Sequence, residues 1–110
     1  MKCHTLNRYS SFNDIKLRHP GVKTLLAVGG WNFGVARMTS MLRDVTTRSE
    51  FIKSSIEFLR QRHFDGLDLD FEYPTERGSP PDDRNRFASL VAVRYVNFMG
   101  FLCFSMSTTC

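Results

Sequence analysis

Asp68, Asp70 and Glu72 alternate with Leu67, Leu69 and Phe71. A period of two marks an extended strand, whose successive side chains point to opposite faces. The three carboxylates therefore share one face, with neighbours roughly 6.5–7 Å apart along it. Carboxylates so close do not ionise independently; like-charge repulsion raises at least one pKa and couples the titration. A carboxylic acid kept protonated near neutral pH is what general-acid catalysis requires. Two other readings fit the same pattern. One is a half-exposed strand, apolar inside and acidic outside, although Asp is depleted in strands and two in one strand need a reason. The other is a Mg²⁺ or Ca²⁺ site, since hard cations take several carboxylate oxygens, although no further ligand set is evident in the sequence.

The second candidate group is Gly29-Gly30-Trp31-Asn32. It follows a short apolar run, Lys23 to Val28, that reads as a buried strand. An exposed indole at that strand's end offers a flat apolar face on which a sugar ring can stack. The two glycines let a ligand approach the backbone closely. A core or surface aromatic is the plainer reading of Trp31.

Elements must place these groups. Ser10 or Ser11 can cap a short helix carrying Phe12, Ile15 and Leu17, stopped by Pro20-Gly21. The apolar run at 23–28 follows, then a loop at 31–34. Thr47 with Glu50 has capping-box spacing and starts a helix to about Arg62, with Phe51, Ile52, Ile56 and Leu59 on its apolar face. The acidic strand spans Phe64 to Glu72, and Tyr73-Pro74 ends it. A polar loop occupies 75–85, with a further helix expected from about Asp83. Strands alternating with helices indicate parallel α/β architecture. In such sheets the C-terminal ends of the strands carry the active site, and Glu72 sits there.

Composition narrows the class. The chain has 110 residues, 42% hydrophobic and 24% charged, which is ordinary globular composition. Its net charge of +4 is too mild to indicate a nucleic-acid partner. The charge is uneven: residues 1–62 hold eleven Lys and Arg against four Asp and Glu, and residues 63–110 hold four against seven. Three scattered cysteines make neither a disulfide framework nor a zinc site. The start has no apolar run long enough for a signal peptide. The apolar tail Tyr95–Met106 is too short for a bilayer, which needs about 20 residues. No cofactor, metal or membrane partner is expected.

Asp65-Gly66-Leu67-Asp68-Leu69-Asp70-Phe71-Glu72-Tyr73-Pro74 resembles the D-x-x-D-x-D-x-E signature of family-18 chitinases. Thr24 to Gly34 is similar to the second-strand motif of the animal members, and Arg77-Gly78-Ser79-Pro80 also fits. The resemblance covers about residues 9 to 91. It implies a fragment of a (β/α)8 TIM barrel, with the second and third strands and the intervening helix, from an endochitinase-type enzyme acting on chitin or chito-oligosaccharide. Position by position, it implies that Glu72 is the general acid. Asp70 would orient the substrate acetamide and Asp68 would tune the proton positions of the pair. Gly29, Gly30, Trp31, Asn32 and Tyr73 would line sugar subsites. Configuration would be retained without an enzyme nucleophile, because the substrate's own N-acetyl oxygen attacks the anomeric carbon. Animal members are mostly secreted. Phe71 stands where Trp is common, and is expected to keep an aromatic on the outward face.

A whole barrel needs about 250 residues, so the first strand and the later ones have no counterpart here. The pattern also changes abruptly after Leu90-Val91. That division, with a partial catalytic domain at 1–91 and a divergent apolar tail at 92–110, is what a truncated or mis-spliced product with a foreign tail would show. A non-catalytic chitin-binding protein and a nonfunctional fragment are the alternatives.

Overall fold

The computed structural model describes residues 3–97. Cys103 and Cys110, with the apolar tail from residue 98 onward, lie outside the described residues. Two strands form a parallel sheet: β1 (Leu25–Gly29) and β2 (Gly66–Asp70), in register from Leu25 beside Gly66 to Gly29 beside Asp70. Helices α1 (Cys3–Asn13) and α2 (Ile15–Arg18) precede β1. Helices α3 (Val35–Leu42) and α4 (Val45–Gln61) connect the strands, and α5 (Asp83–Asn97) follows β2.

The period-two reading of β2 holds. Leu67 and Leu69 are buried and Asp68 and Asp70 are half-buried on the other face. The parallel register sets Leu26 beside Leu67 and Val28 beside Leu69, which makes one apolar face. That face meets Met38 and Leu42 of α3, Ile52 and Leu59 of α4, and Phe87 and Leu90 of α5. Phe51 and Ile56 pack at its margin, as the helical spacing predicts. On the opposite face, Ala27 and Gly29 stand beside Asp68 and Asp70. Small neighbours leave the carboxylates room.

Several boundaries differ from the sequence reading. β2 ends at Asp70 rather than Glu72, because β1 ends at Gly29 and offers Phe71 no strand residue to pair with. Phe71 is not outward-facing; it is buried and meets Phe87 edge-on at 5.7 Å. The capping box of α4 is Asp44 with Thr47, not Thr47 with Glu50. Asp44 Oδ1 accepts the Thr47 N–H at 2.8 Å, and the Thr47 hydroxyl accepts the Asp44 N–H at 3.3 Å. The box position that Glu commonly fills is here taken by Thr. Ser10 and Ser11 lie inside α1 rather than capping a helix. Phe12 and Leu17 are exposed, so they do not form a buried face. Helix α3 had no counterpart in the sequence reading, and the stretch 31–33 is a 3₁₀ turn.

Asp65 ties the N-terminal ends of the strands together. Its N–H donates to the Thr24 carbonyl at 2.9 Å, and Thr24 N–H donates to Asp65 Oδ2 at 2.8 Å. Lys16 Nζ donates to the same oxygen at 3.0 Å and also to the His63 carbonyl. Lys23 Nζ lies 3.8 Å from Oδ1. Burial alone would push the Asp65 carboxyl up, but the Thr24 N–H, the Lys16 hydrogen bond and the two ammonium charges outweigh it. The pKa falls below its ordinary 3.8. A carboxyl depressed in the folded state binds fewer protons there than in the unfolded chain. Its stabilisation is therefore present above the ordinary value and is lost as pH falls through the lower folded value. Acid titration of the melting temperature should show a drop below about pH 4 that Asp65→Asn makes shallower. The drop should not vanish, because Asp44 is lowered too, chiefly by the Thr47 N–H. An unchanged acid limb in Asp65→Asn would count against this lock.

Candidate active site

The C-terminal ends of the two strands are joined at a close crossing. Gly29 is the register partner of Asp70, and Gly30 N–H donates to the Asp70 carbonyl at 2.9 Å. Gly29 has φ 113°, and a Cβ there would stand 2.1 Å from the Asp70 carbonyl oxygen. Only glycine accommodates both the backbone angle and the contact. At Gly30, with φ 93°, a Cβ would lie 3.6 Å from Asp70 Oδ2. The Asp70 carboxylate thus lies against the glycine turn, and the two motifs, forty residues apart in sequence, meet at one end of the sheet.

The turn Trp31–Phe33 follows directly, closed by Phe33 N–H donating to the Gly30 carbonyl at 3.1 Å. Trp31 is 55% exposed, and Asn32 beside it is exposed as well. A 3₁₀ turn of three residues has no room to bury an indole beneath itself. Trp31 therefore projects at the end of the sheet where Glu72 emerges. Glu72 and Tyr73 are half-buried, and the peptide bond between them is cis. The Tyr73 ring meets Trp31 edge-on, with centroids 6.5 Å apart and planes at 68°. The structure thus places Gly29, Gly30, Trp31, Asn32, Asp70 and Tyr73 at one end of the sheet with Glu72, and Asp68 one strand step below.

Several residues that hold this arrangement together were not singled out as site residues from sequence. Arg77 Nη1 donates to the Glu72 carbonyl at 3.0 Å and to the Trp31 carbonyl at 3.3 Å. Asp83 is wholly buried at the start of α5. Its Oδ2 accepts the Ser79 hydroxyl at 2.7 Å and the Thr39 hydroxyl at 2.6 Å, and Oδ1 accepts Arg86 Nη1 at 3.3 Å. Thr39 brings α3 into that bond and so fixes the loop after β2 to the core. Two adjacent acids after a Pro-Pro loop, Asp82 and Asp83, read as a solvated helix start, and nothing local shows that Asp83 is buried. Among the described residues, no three His, Cys, Asp or Glu side chains converge to hold a metal ion. No helix among them is long and apolar enough to cross a membrane.

The model for glycosyl hydrolases of family 18 matches residues 1–96. The chain belongs to that family. It is 49% identical to chitotriosidase-1 of Mus musculus over 83 residues, which is 76% of this chain and 18% of that protein. It is 54% identical over 83 residues to the oviduct-specific glycoprotein of the same species, covering 12% of its length. Among solved structures, the Group IV chitinase of Ostrinia furnacalis in complex with allosamidin superimposes with TM-score 0.85 at 32% identity. That match covers 92% of this chain and 28% of the chitinase. YKL-39, solved in the presence of chitooligosaccharides, matches with TM-score 0.74 at 32% identity, over 88% of this chain and 25% of its own. The chain thus spans less than a fifth of these curated relatives and under a third of these structures.

Proposed function

We propose that this segment is the acid-bearing part of a chitin-cleaving site, supplying the second and third strands of an eight-stranded barrel. Residues 92–110 would form a divergent tail to it. The carrying observation is the direct contact between the Gly29-Gly30 turn and Asp70, which puts Trp31 and the carboxylate face at one end of the sheet. A β-1,4-linked N-acetylglucosamine unit would lie over that end, stacked on Trp31 and flanked by Tyr73. Glu72 in its acid form protonates the glycosidic oxygen as the bond to the anomeric carbon breaks. The acetamide oxygen of the same sugar closes on that carbon from the opposite side. Asp70 accepts the acetamide N–H and offsets the positive charge that spreads over the ring so formed. Glu72, now a carboxylate, takes a proton from the water that opens the ring, and configuration is retained. Asp68, one step deeper, adjusts where the proton resides between the acids. The chemistry draws on these side chains without a cofactor, and the site of action is outside the cell.

Sugar binding without turnover is the second reading, favoured by the exposed Trp31 on a sheet of only two strands among the described residues. With no opposite wall, the reacting groups lack the fixed geometry that accelerates cleavage. The 110-residue chain is expected to be retained weakly on chitin beads and to release no product from them. Trp31→Ala should weaken retention about two- to tenfold, the range of one aromatic stacking contact. Equal retention of both forms would remove Trp31 as the platform. Passage of both straight through the column would remove sugar binding by this chain.

A further inference from the structure

We propose that Arg77 is a positioning residue that clips the Trp31 platform to the Glu72 loop. The geometry rests on one guanidinium making three contacts. Its carbon lies 3.7 Å from the Trp31 ring centroid, and its Nη1 reaches the main-chain carbonyls of Trp31 and Glu72. The planar fork of arginine can stack and donate at the same time, which an ammonium cannot do. Trp31 and Glu72 come from different loops, and the strands beneath them stop pairing at Gly29 and Asp70. Beyond that point Arg77 spans the two loops.

Its own loop is braced for the task. Arg77 and Gly78 take left-handed backbone, with φ 54° and 92°, a conformation that a non-glycine residue adopts only where its surroundings enforce it. Thr75 N–H donates to Ser79 Oγ at 3.1 Å, and Ser79 Oγ in turn donates to buried Asp83. The clip is therefore mounted on the core rather than on a free loop. Two consequences follow. Arg77 covers one face of the indole, so a sugar stacks on the other. It also holds the Glu72 main chain at a set distance from that stacked sugar. Both consequences rest on the sugar-binding reading above, and the clip itself does not.

Trp31 is the single tryptophan of the chain, so its fluorescence reports this contact alone. In Arg77→Ala, acrylamide quenching of Trp31 is expected to rise about twofold, the lower end of what losing an exposed cation–π pair permits. Helix content by circular dichroism should stay unchanged. Arg77→Lys keeps the charge but not the fork, and should fall between the two. It decides the matter should Arg77→Ala lose its helix signal. Unchanged quenching in the folded variants, or wild-type quenching equal to that of free N-acetyltryptophanamide, overturns the clip. Titration with chitohexaose, read by the same emission, should show binding about two- to fivefold weaker in Arg77→Ala. A wild-type chain that does not respond to chitohexaose counts against the sugar reading, and the quenching result still decides the clip.

Discussion

Replacing Glu72 by Gln is expected to lower chitin hydrolysis by about two to four orders of magnitude, the usual contribution of a positioned general acid. The measurement needs a complete barrel. It is best made on a chimera in which this chain replaces the matching 83-residue segment of mouse chitotriosidase-1, to which it is 49% identical. The substitution keeps the shape of the side chain and removes only the transferable proton. The size of the loss should depend on the leaving group. A sugar alkoxide must be protonated to depart, whereas 4-nitrophenolate leaves almost unaided. The deficit should therefore be large on chito-oligosaccharides and much smaller on a nitrophenyl glycoside. Asp70→Asn should behave differently, with a similar deficit on both substrates, because acetamide attack accompanies the departure of either group. Full activity of the Glu72→Gln chimera on chito-oligosaccharides would sink the assignment of the acid. In the 110-residue chain alone, Glu72-dependent cleavage of chito-oligosaccharides would show that this chain suffices, against the expectation above.

The acidic signature was legible in the sequence because its information is local. Alternation of Leu67, Leu69 and Phe71 with Asp68, Asp70 and Glu72 fixes which side chains share a face, whatever the rest of the fold does. The strand's length was not legible, since it ends where its partner does, and Gly29 is thirty-seven residues before Gly66 in the chain. The same limit hid the division of labour within the signature. Asp65 is chemically like Asp70, yet it lies at the other end of β2, satisfied by Thr24 and Lys16. Asp70 faces the glycine turn. Only the parallel pairing separates the structural acid from the candidate catalytic ones. Helix α3 was missed because eight residues make little more than two turns and Gly34 before them offers no side-chain cap to mark a start, and Met38 and Leu42 declare themselves only through the core that they fill. Arg77 is harder still. A basic residue in a polar loop reads as solvated, and its partner Trp31 is forty-six positions away.

Leu69→Ala should be among the most damaging single substitutions to stability, although it touches no functional group. Leu69 is fully buried between Asp68 and Asp70, with Val28 as its register partner and helices α3, α4 and α5 over the same face. Truncating a buried leucine typically costs about 2–5 kcal/mol, through lost transfer energy and the cavity left behind. A domain of this size has roughly 5–15 kcal/mol in total, and each kcal/mol moves its melting temperature by about 4–8 °C. Leu17→Ala is the matched control. The same atoms are removed from a side chain 81% exposed, and the change should stay within about 0.5 kcal/mol. Thermal melts of the two variants side by side therefore test the packing of β2 directly. Equal melting temperatures would mean that Leu69 does not face the helices, and the outward placement of Asp68 and Asp70 would fall with it, since the two faces of a strand are fixed together. The effect on sugar binding separates this variant from Glu72→Gln. In Leu69→Ala binding should disappear only in step with unfolding. In Glu72→Gln it should persist while hydrolysis is lost, because an amide fills the same space as the acid and lacks only the proton to transfer.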